Sequence, residues 1–272
     1  MHNYRIITIV LLIALFTPTH AFAQKQSPEF KPRVFAFRNG VAFGNFDQEA
    51  TILKTLGYDG VGSVPTAQLR DRIIAYNTKG LKVFSIYVSL GDPKIPAAME
   101  QLKGTGATIE LTIRKKITPE TVQEIQVLAA LAEKAGLRIA FYPHAGFTIA
   151  TIDPALDLIK QVNHPNVGLM FNLCHYLKSE DPAKLEDTIA RAGKHIFAAS
   201  TCGADTNGKN WSALIQPLDK GTFDQSRLLN ALQKVGFQGA IGLQCYAIKG
   251  DKRENLKRSI KAWNLIIAAV NK

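Results

Sequence analysis

Four predicted helices in this chain end at a glycine, and a hydrophobic segment of strand type follows each within a few residues. The glycines are Gly57, Gly80, Gly136 and Gly236. A glycine just past a helix adopts the left-handed conformation without a Cβ clash, so it closes the helix and turns the chain. This joint, repeated along the chain, predicts an alternation of strands and helices. In such folds the functional side chains lie at the carboxyl ends of the strands.

Eight segments have the composition of buried strands, and a helical pattern or a loop follows each one. We predict strands at residues 34–38, 60–63, 82–88, 107–113, 138–142, 167–171, 195–200 and 240–245. Eight is the usual number for a closed parallel barrel. A doubly wound open sheet is the alternative, but the turn from Arg38 to Val41 lacks its glycine-rich phosphate signature. We therefore expect an α/β protein of one domain, a (β/α)8 TIM barrel over residues 24–272.

The predicted helices fill the intervals between these strands. Thr118 is a natural N-cap, and Pro119 suits the first position of the fourth helix. Asp181 and Pro182 open the sixth helix in the same way, and a long loop up to Gly221 follows the seventh strand. The helices are predicted at residues 47–56, 66–79, 95–102, 119–135, 153–162, 181–192, 223–235 and 251–269.

The amino terminus has the pattern of a secretory signal peptide over residues 1–23. Arg5 precedes an apolar run from Ile6 to Phe16, which is too short to span a bilayer as a helix. Ala21-Phe22-Ala23 then matches the small-x-small pattern of a signal peptidase site. We expect cleavage after Ala23, export to the periplasm or the exterior, and no stable membrane insertion afterwards. A retained N-terminal anchor is the alternative.

The net charge of +11 raises the question of an anionic partner. The basic residues are scattered, and the densest cluster, Lys252 to Lys261, is mixed with Asp251 and Glu254 at helical spacing. This pattern indicates a solvated helix face rather than a nucleic-acid surface, so we expect no nucleic-acid partner. Nothing in the pattern sets an oligomeric state.

The chain has three cysteines, Cys174, Cys202 and Cys245, and an odd number gives no disulfide framework. A bridge between Cys174 and Cys202 is one alternative in an exported protein, since both residues follow neighbouring predicted strands. Three small buried or half-buried thiols are the other alternative.

Strand side chains alternate between two faces, so each strand gives an inward and an outward set. We predict that Phe35, Phe37 and Phe84 face the helices, which turns Arg38 inward. The inward residues near the strand ends are mostly polar. Polar groups in a buried barrel mouth cost free energy unless they are paired, so this set predicts a ligand site. The set comprises Arg38, Ser85, Tyr87, Thr108, Glu110, Thr112, Tyr142, His144, Asn172, Gln244 and Tyr246.

The segment from His164 to His175, HPNVGLMFNLCH, resembles the sixth-strand signature PNVGxxxDxxH of the xylose isomerase-like TIM barrels, the sugar phosphate isomerase/epimerase family. Similar matches occur at Tyr142-Pro143-His144, at Gly221 to Asp224 and at Gly236 to Gln244. The resemblance covers most of residues 24–272 and is strongest after Leu137. It implies the barrel fold and a sugar substrate.

The resemblance also implies a divalent cation, Mn, Mg or Zn, held by Glu, Asp, His and Glu on strands five to eight. The matching positions here are Tyr142, Asn172, Ser200 (or Thr201) and Gln244. All four depart from the pattern, and neutral amides and hydroxyls bind a hard divalent cation weakly. We therefore expect a divergent member without the usual metal site and no cofactor. A displaced site is the alternative, with the ligands Glu110, His144, His175 and Asp205.

His144 and His175 are the candidate acid and base, since histidine titrates near neutral pH. Tyrosine hydroxyls suit a developing oxyanion, cationic side chains suit a carboxylate or an enediolate, and amides and hydroxyls suit sugar hydroxyls. The candidate substrate-binding residues are Arg38, Tyr87, Arg114, Tyr142, Asn172, Ser200, Gln244, Tyr246 and Lys249.

The expected function is that of an exported isomerase- or epimerase-like enzyme. It would act on a free or oxidised (keto) sugar, a small-molecule partner, by proton abstraction next to a carbonyl. Two alternatives stay open. A lyase or hydratase of 3-keto-glycosides would use the same first proton abstraction, and a non-catalytic sugar-binding barrel would use none.

Overall fold

The computed structural model describes residues 29–272. The predicted signal peptide, residues 1–23, lies outside them. One parallel sheet runs through the described chain, with nine segments in the order β3-β2-β1-β9-β8-β7-β6-β5-β4. The segments are β1 Val34–Phe37, β2 Gly60–Gly62, β3 Lys82–Val83, β4 Ser85–Ser89, β5 Thr108–Thr112, β6 Arg138–Phe141, β7 Val167–Asn172, β8 Ile196–Thr201 and β9 Ile241–Leu243.

The sheet closes on itself because β3 and β4 are two parts of one strand, interrupted at Phe84. β3 pairs with β2, and β4 pairs with β5 on its other side. A further parallel bridge between Val64 and Ile86 continues the contact between the second strand and β4. The nine segments therefore make eight strands in a ring, which confirms the predicted TIM barrel.

Helices follow the strands and cover the outside of the barrel. Thr118 caps α4 through its side-chain oxygen, with Pro119 at the first position, as predicted. The helices are α1 Phe46–Leu56, α2 Leu69–Thr78, α3 Ile95–Gln101, α4 Pro119–Lys134, α5 Ile152–Val162, α6 Leu173–Ser179, α7 Leu185–Ala192, α8 Trp211–Leu214, α9 Gln225–Lys234 and α10 Lys252–Val270.

The glycine joints adopt the conformation that their position requires. The φ angles of Gly57, Gly80, Gly136 and Gly236 are 92°, 69°, 68° and 71°. These left-handed values end the preceding helices and direct the chain into the next strand, as the repeated joint predicts.

Two segments after β7 and β8 differ from the sequence prediction. Helix α6 begins directly after β7, where no helix was predicted, and the predicted helix at 181–192 is a 3-10 turn, Pro182–Lys184, followed by α7. The loop after β8 contains the short helix α8. The prediction missed both helices because each is short. In α6 five consecutive residues are buried, and α8 has only four residues, so neither has a clear 3.6-residue pattern.

The predicted orientation of Phe35, Phe37 and Phe84 is wrong, because the three rings lie together inside the barrel. Phe35 stacks on Phe37 and on Phe84, with ring centroids 5.8 Å and 5.1 Å apart. Neighbouring strands leave room for them by carrying glycine. A Cβ atom at Gly242 would lie 2.4 Å from the Phe37 ring, and one at Gly62 would lie 2.2 Å from the Phe35 ring. Filling this interior favours aromatic side chains, each of which stabilises the fold by about 2 kcal/mol.

The remaining strand alternation follows the prediction. Ile86, Ile109, Ile139, Leu169 and Ile241 belong to the outer apolar layer between sheet and helices. Their neighbours on each strand therefore face the barrel interior.

None of the helices in residues 29–272 combines the length and the apolar character needed to cross a bilayer.

Candidate active site

Two histidines meet at the carboxyl ends of β6 and β7. His144 lies three residues past the end of β6, and His175 lies in the first turn of α6, directly after β7. Their ring centroids are 4.0 Å apart, with an angle of 39° between the rings. His175 is buried and His144 is half-buried. Helix α6 thus places His175 against the histidine that the neighbouring strand presents.

The backbone N–H and carbonyl oxygen of Ala145 each contact one of the two rings and set their tautomers. The Ala145 N–H donates to Nδ1 of His175 at 3.3 Å, so the neutral His175 ring carries its proton on Nε2. Nδ1 of His144 lies 2.9 Å from the Ala145 carbonyl oxygen, which only accepts. The neutral His144 ring therefore has a proton on Nδ1 and a free lone pair on Nε2. One ring is left as a donor and the other as an acceptor.

Aromatic side chains enclose the two imidazoles. Phe147 stacks on His144 with centroids 3.9 Å apart, and the Arg114 guanidinium carbon lies 3.7 Å from the centroid of the Phe147 ring. Trp211, from α8, contacts His175 edge-on at 5.1 Å. The histidines thus lie in a largely apolar surrounding with one exposed arginine at its edge.

This surrounding lowers the pKa of both histidines. Burial lowers the pKa of His144, and the Arg114 charge lowers it further against the opposing effect of the Ala145 carbonyl. Burial and the neighbouring His144 lower the pKa of His175 to about 3. Neutral imidazole is therefore the favoured form of both rings at pH 7. The pair can accept a proton at one nitrogen and donate a hydrogen bond from another.

A buried hydrogen-bond chain lies beside the histidines. Asn172 Nδ2 donates to the Tyr142 hydroxyl at 2.5 Å, and the Cys174 thiol donates to Asn172 Oδ1 at 2.9 Å. Tyr142 packs edge-on against Tyr87 and against His175. Burial raises the pKa of Tyr142 well above its ordinary value, so the hydroxyl stays protonated. Two of the predicted sugar-binding residues, Tyr142 and Asn172, therefore bind each other.

The three cysteines are buried free thiols. Cys174 and Cys202 lie side by side, and the interaction with the Cys174 sulfur together with burial raises the pKa of Cys202 well above its ordinary value. The structure thus brings together the two cysteines that the sequence offered as a pair, without a bond between them.

Gln244, which directly follows β9, is the last of the four positions where the family pattern has a metal ligand. Its Oε1 accepts N–H groups from Asn39, Cys245 and Tyr246 at 2.8 Å, 2.9 Å and 3.0 Å. The Ser200 hydroxyl faces the interior and is buried without a partner in residues 29–272, whereas Thr201 bonds to Gln225 on α9. Ser200, rather than Thr201, is therefore the site residue on β8.

Three predicted binding residues lie at a distance from this cluster, in exposed positions after β1 and β9. They are Arg38, Tyr246 and Lys249. Burial raises the pKa of Glu49, and the positive charges of Arg72 and Arg38 oppose this rise. Glu49 forms an ion pair with Arg72 at 2.8 Å. Tyr246 is 56% exposed. These side chains are available to solvent at the rim rather than held in the cluster.

Glu110 is a predicted inward residue that is fully buried inside the barrel. The Ser85 hydroxyl donates to its Oε1 at 2.5 Å, while Oε2 has no partner in the described chain. Tyr87 is its register neighbour on β4, and Ala140 is its neighbour on β6. Burial raises the pKa of Glu110 to about 7, against the lowering effect of the serine hydrogen bonds. Glu110 is thus a titrating group beneath the mouth, in addition to the two histidines.

The site does not fit a divalent cation. Tyr142 and Asn172 bond to each other, and Gln244 Oε1 already accepts three N–H groups. Within residues 29–272, no three His, Cys, Asp or Glu side chains lie close enough to share a metal ion. The displaced set of Glu110, His144, His175 and Asp205 is therefore not assembled. Asp205 instead accepts the Thr222 N–H in the loop after β8.

Sequence reasoning missed several residues that shape the cluster. Phe147 lies in a loop and Trp211 begins the four-residue helix α8, and neither segment is long enough for a periodic pattern to reveal an orientation. Ser63 has a left-handed φ of 55° and donates its backbone N–H to the Ser85 hydroxyl at 2.7 Å. Phe147, three positions after His144, was the one signal in the sequence, but its position does not show that its ring packs on the histidine.

Comparison with protein families places the chain among known folds. The model of the xylose isomerase-like TIM barrel family matches residues 105–265, more than half of the chain. Among solved structures, an IOLI protein with a bound zinc atom superimposes with a TM-score of 0.70 at 18% identity, covering 88% of this chain and 99% of that one. A 3-keto-D-glucoside 4-epimerase from E. coli superimposes with a TM-score of 0.69 at 16% identity, covering 86% and 98%. These two likenesses concern the fold.

Two sequence relatives match part of the chain. An inosose isomerase from Bacillus licheniformis is 26% identical over 146 residues, and one from Bacillus subtilis is 23% identical over 149 residues. Each match covers 51% of this chain and 51% of the relative, so the chain spans about half the length of the curated relatives it matches. The extent of the family match and the closed barrel agree: the chain belongs to the xylose isomerase-like TIM barrel family.

Proposed function

We propose that the barrel mouth catalyses isomerisation or epimerisation of a free or oxidised sugar by proton transfer next to a carbonyl, without a metal ion. The observation that carries the proposal is the tautomer pair held by Ala145. His144 Nε2 would accept the proton from the carbon next to the carbonyl. His175 Nε2–H would donate a hydrogen bond to the carbonyl oxygen as negative charge develops there.

The electrostatics of the cluster support these roles. Neutral imidazole can polarise a carbonyl when its pKa is lowered, and both histidines have lowered pKa values. The Arg114 guanidinium, next to Phe147, would stabilise an enediolate. For isomerisation the proton would pass from His144 to the adjacent, former carbonyl carbon, and the proton of the neighbouring hydroxyl would pass to the former carbonyl oxygen. For epimerisation the first carbon would instead take up a proton on its opposite face, and His144 would release its own proton to solvent. The names of the relatives, inosose isomerase and 3-keto-D-glucoside 4-epimerase, support this reaction class for the present chain.

The substrate class follows from the neutral character of the inner mouth and from the expected export. Amide and hydroxyl groups occupy the positions where the family would hold a cation, and phosphorylated sugars are scarce outside the cytoplasm. A neutral aldose, ketose or 3-keto-glycoside is therefore the proposed substrate. Export itself is tested by the mass of the mature protein, which should begin at Gln24.

Deuterium exchange tests the function directly. Purified protein is incubated in D2O with aldoses, ketoses and 3-keto-glycosides, with and without EDTA, and followed by NMR. Exchange next to the carbonyl with a rearranged sugar, unaffected by EDTA, supports the proposal. Loss of exchange with EDTA overturns the metal-free mechanism. An unsaturated or hydrated product favours the lyase or hydratase, and sugar binding without exchange favours the non-catalytic barrel.

A further inference from the structure

A group of cavities lies at the amino ends of the strands, opposite the histidine cluster. Cavities of about 680, 430 and 330 Å³ adjoin one another, and all three are lined by Gln238 and Gly239, just before β9. The 330 Å³ cavity, which we call the amino-end recess, enters the barrel as far as Phe35, Phe84 and Phe197. Its volume lies in the range of small-molecule sites.

Two arginines lie on the aromatic walls of the recess. The Arg33 guanidinium packs on the Phe84 ring at 4.8 Å, and the Arg138 guanidinium packs on the Phe197 ring at 5.0 Å. Arg33 directly precedes β1, and Arg138 is the first residue of β6. The stacking restricts both guanidinium planes while their N–H groups stay exposed, which reduces the entropy lost when they bind an anion.

The chain offers these two arginines no acidic partner. Neither forms an ion pair within residues 29–272, and residues 1–28 contain no Asp or Glu. The neighbouring cavities add Lys31, Lys194 and Lys234, against the acids Glu29 and Glu133. The recess is therefore a concave and positively charged surface whose cations remain unneutralised, unlike Arg191, Arg227 and Arg258, which pair with carboxylates.

We propose that the amino-end recess binds a small oxyanion, a carboxylate or phosphate compound of about the size of a sugar acid. Planar guanidinium groups pair with both anions through two parallel hydrogen bonds. The volume of the recess, about 330 Å³, suits a small molecule. The site is independent of the proton-transfer chemistry proposed at the mouth, because it lies at the other end of the barrel.

Calorimetric titration of the purified protein tests the site with three probes: glucuronate, inorganic phosphate and neutral glucose. We expect one of the two anions to bind, and the preferred anion identifies the group that the recess accepts. Arg33→Gln and Arg138→Gln should each weaken this binding by about tenfold or more. The matched control is Arg70→Gln, which removes an exposed arginine on α2 and should leave binding unchanged.

Three outcomes would overturn the proposal. These are the failure of both anions to bind, binding that survives in the Arg33→Gln/Arg138→Gln double variant, and equal weakening by Arg70→Gln, which would indicate non-specific attraction to a basic surface. Thermal unfolding of each variant without ligand checks its fold. If either Gln variant unfolds, Arg33→Lys and Arg138→Lys keep the charge but lose the planar fork, and they should still weaken binding.

Discussion

His144 and His175 are related through the backbone of one residue, Ala145, whose carbonyl oxygen accepts a hydrogen bond from His144 and whose N–H donates to His175. The arrangement makes the two neutral rings chemically different although they lie 4.0 Å apart. It depends on the turn after β6 and on the unpredicted helix α6, which meet at Ala145.

Replacement of each histidine should separate the two roles. His144→Asn should reduce deuterium exchange by about 10²- to 10⁴-fold, because the proton acceptor is lost. His175→Asn should lower kcat by about 10²-fold or more with a smaller change in KM, because a donor to developing charge is lost. His195→Asn is the control, since His195 lies just before β8 at the amino end. Full activity in both His144→Asn and His175→Asn would contradict the proposed mechanism.

Glu110 should make the stability of the protein depend on pH. Its pKa is raised from 4.5 to about 7 in the folded state, so the folded protein binds more protons than the unfolded chain between these values. The free energy of unfolding should therefore fall as pH rises from about 4.5 to 7, by about 3 kcal/mol. In Glu110→Gln this contribution disappears. The difference in unfolding free energy between variant and wild type, measured by urea denaturation, should therefore be more favourable to the variant at pH 8 than at pH 5.

Ser85 gives an independent check on the same carboxyl. Its hydroxyl donates to Glu110 Oε1 and lowers the Glu110 pKa. Ser85→Ala should raise that pKa further, so the pH at which the Glu110 contribution is lost should move upward. Carboxyl ¹³C chemical shifts measured across this pH range would follow the titration directly. A midpoint that stays in place or moves down would show that the hydroxyl does not favour the ionised form.

Gly242 should tolerate no side chain, because a Cβ atom would overlap the Phe37 and Phe35 rings. Gly242→Ala should destabilise the protein by about 1–3 kcal/mol through overpacking. Phe37→Leu removes part of the obstructing ring, so the double variant should lose less stability than the sum of the two single variants. Strict additivity in a chemical denaturation cycle would contradict the inward position of Phe37.

The neutral side chains of the mouth predict weak metal binding, and substitutions that restore charged ligands should make it strong. Wild-type protein equilibrated with zinc and then dialysed should retain less than one ion per chain, because Asn172 and Gln244 give no negative charge. The fourfold variant Tyr142→Glu, Asn172→Asp, Ser200→His and Gln244→Glu should retain zinc in a one-to-one ratio. Elemental analysis measures both. Tight zinc binding by the wild type that depends on Asn172 would refute the neutral-mouth interpretation.

The sequence by itself determined the eight strands of the barrel and the main helices between them, but not the short helices α6 and α8. A glycine just past a helix adopts the left-handed conformation without a Cβ clash, and alternation along the strands from β5 to β7 has a period that local residues define. The motif from His164 to His175 also identified the family from local residues alone. The polar character of the mouth followed from the same alternation, which is why Glu110, Tyr142 and Asn172 were recognised as inward.

Only the tertiary structure decided how those residues are used. Phe35 and Phe37 face inward because glycines on neighbouring strands leave a space that only packing reveals. Tyr142 and Asn172 bond to each other, and Ala145 connects two histidines that are 31 positions apart in the chain order only because β6 and β7 are adjacent. Which atoms are paired and which stay free depends on distances between strands, and a linear pattern of residue types contains no such distances.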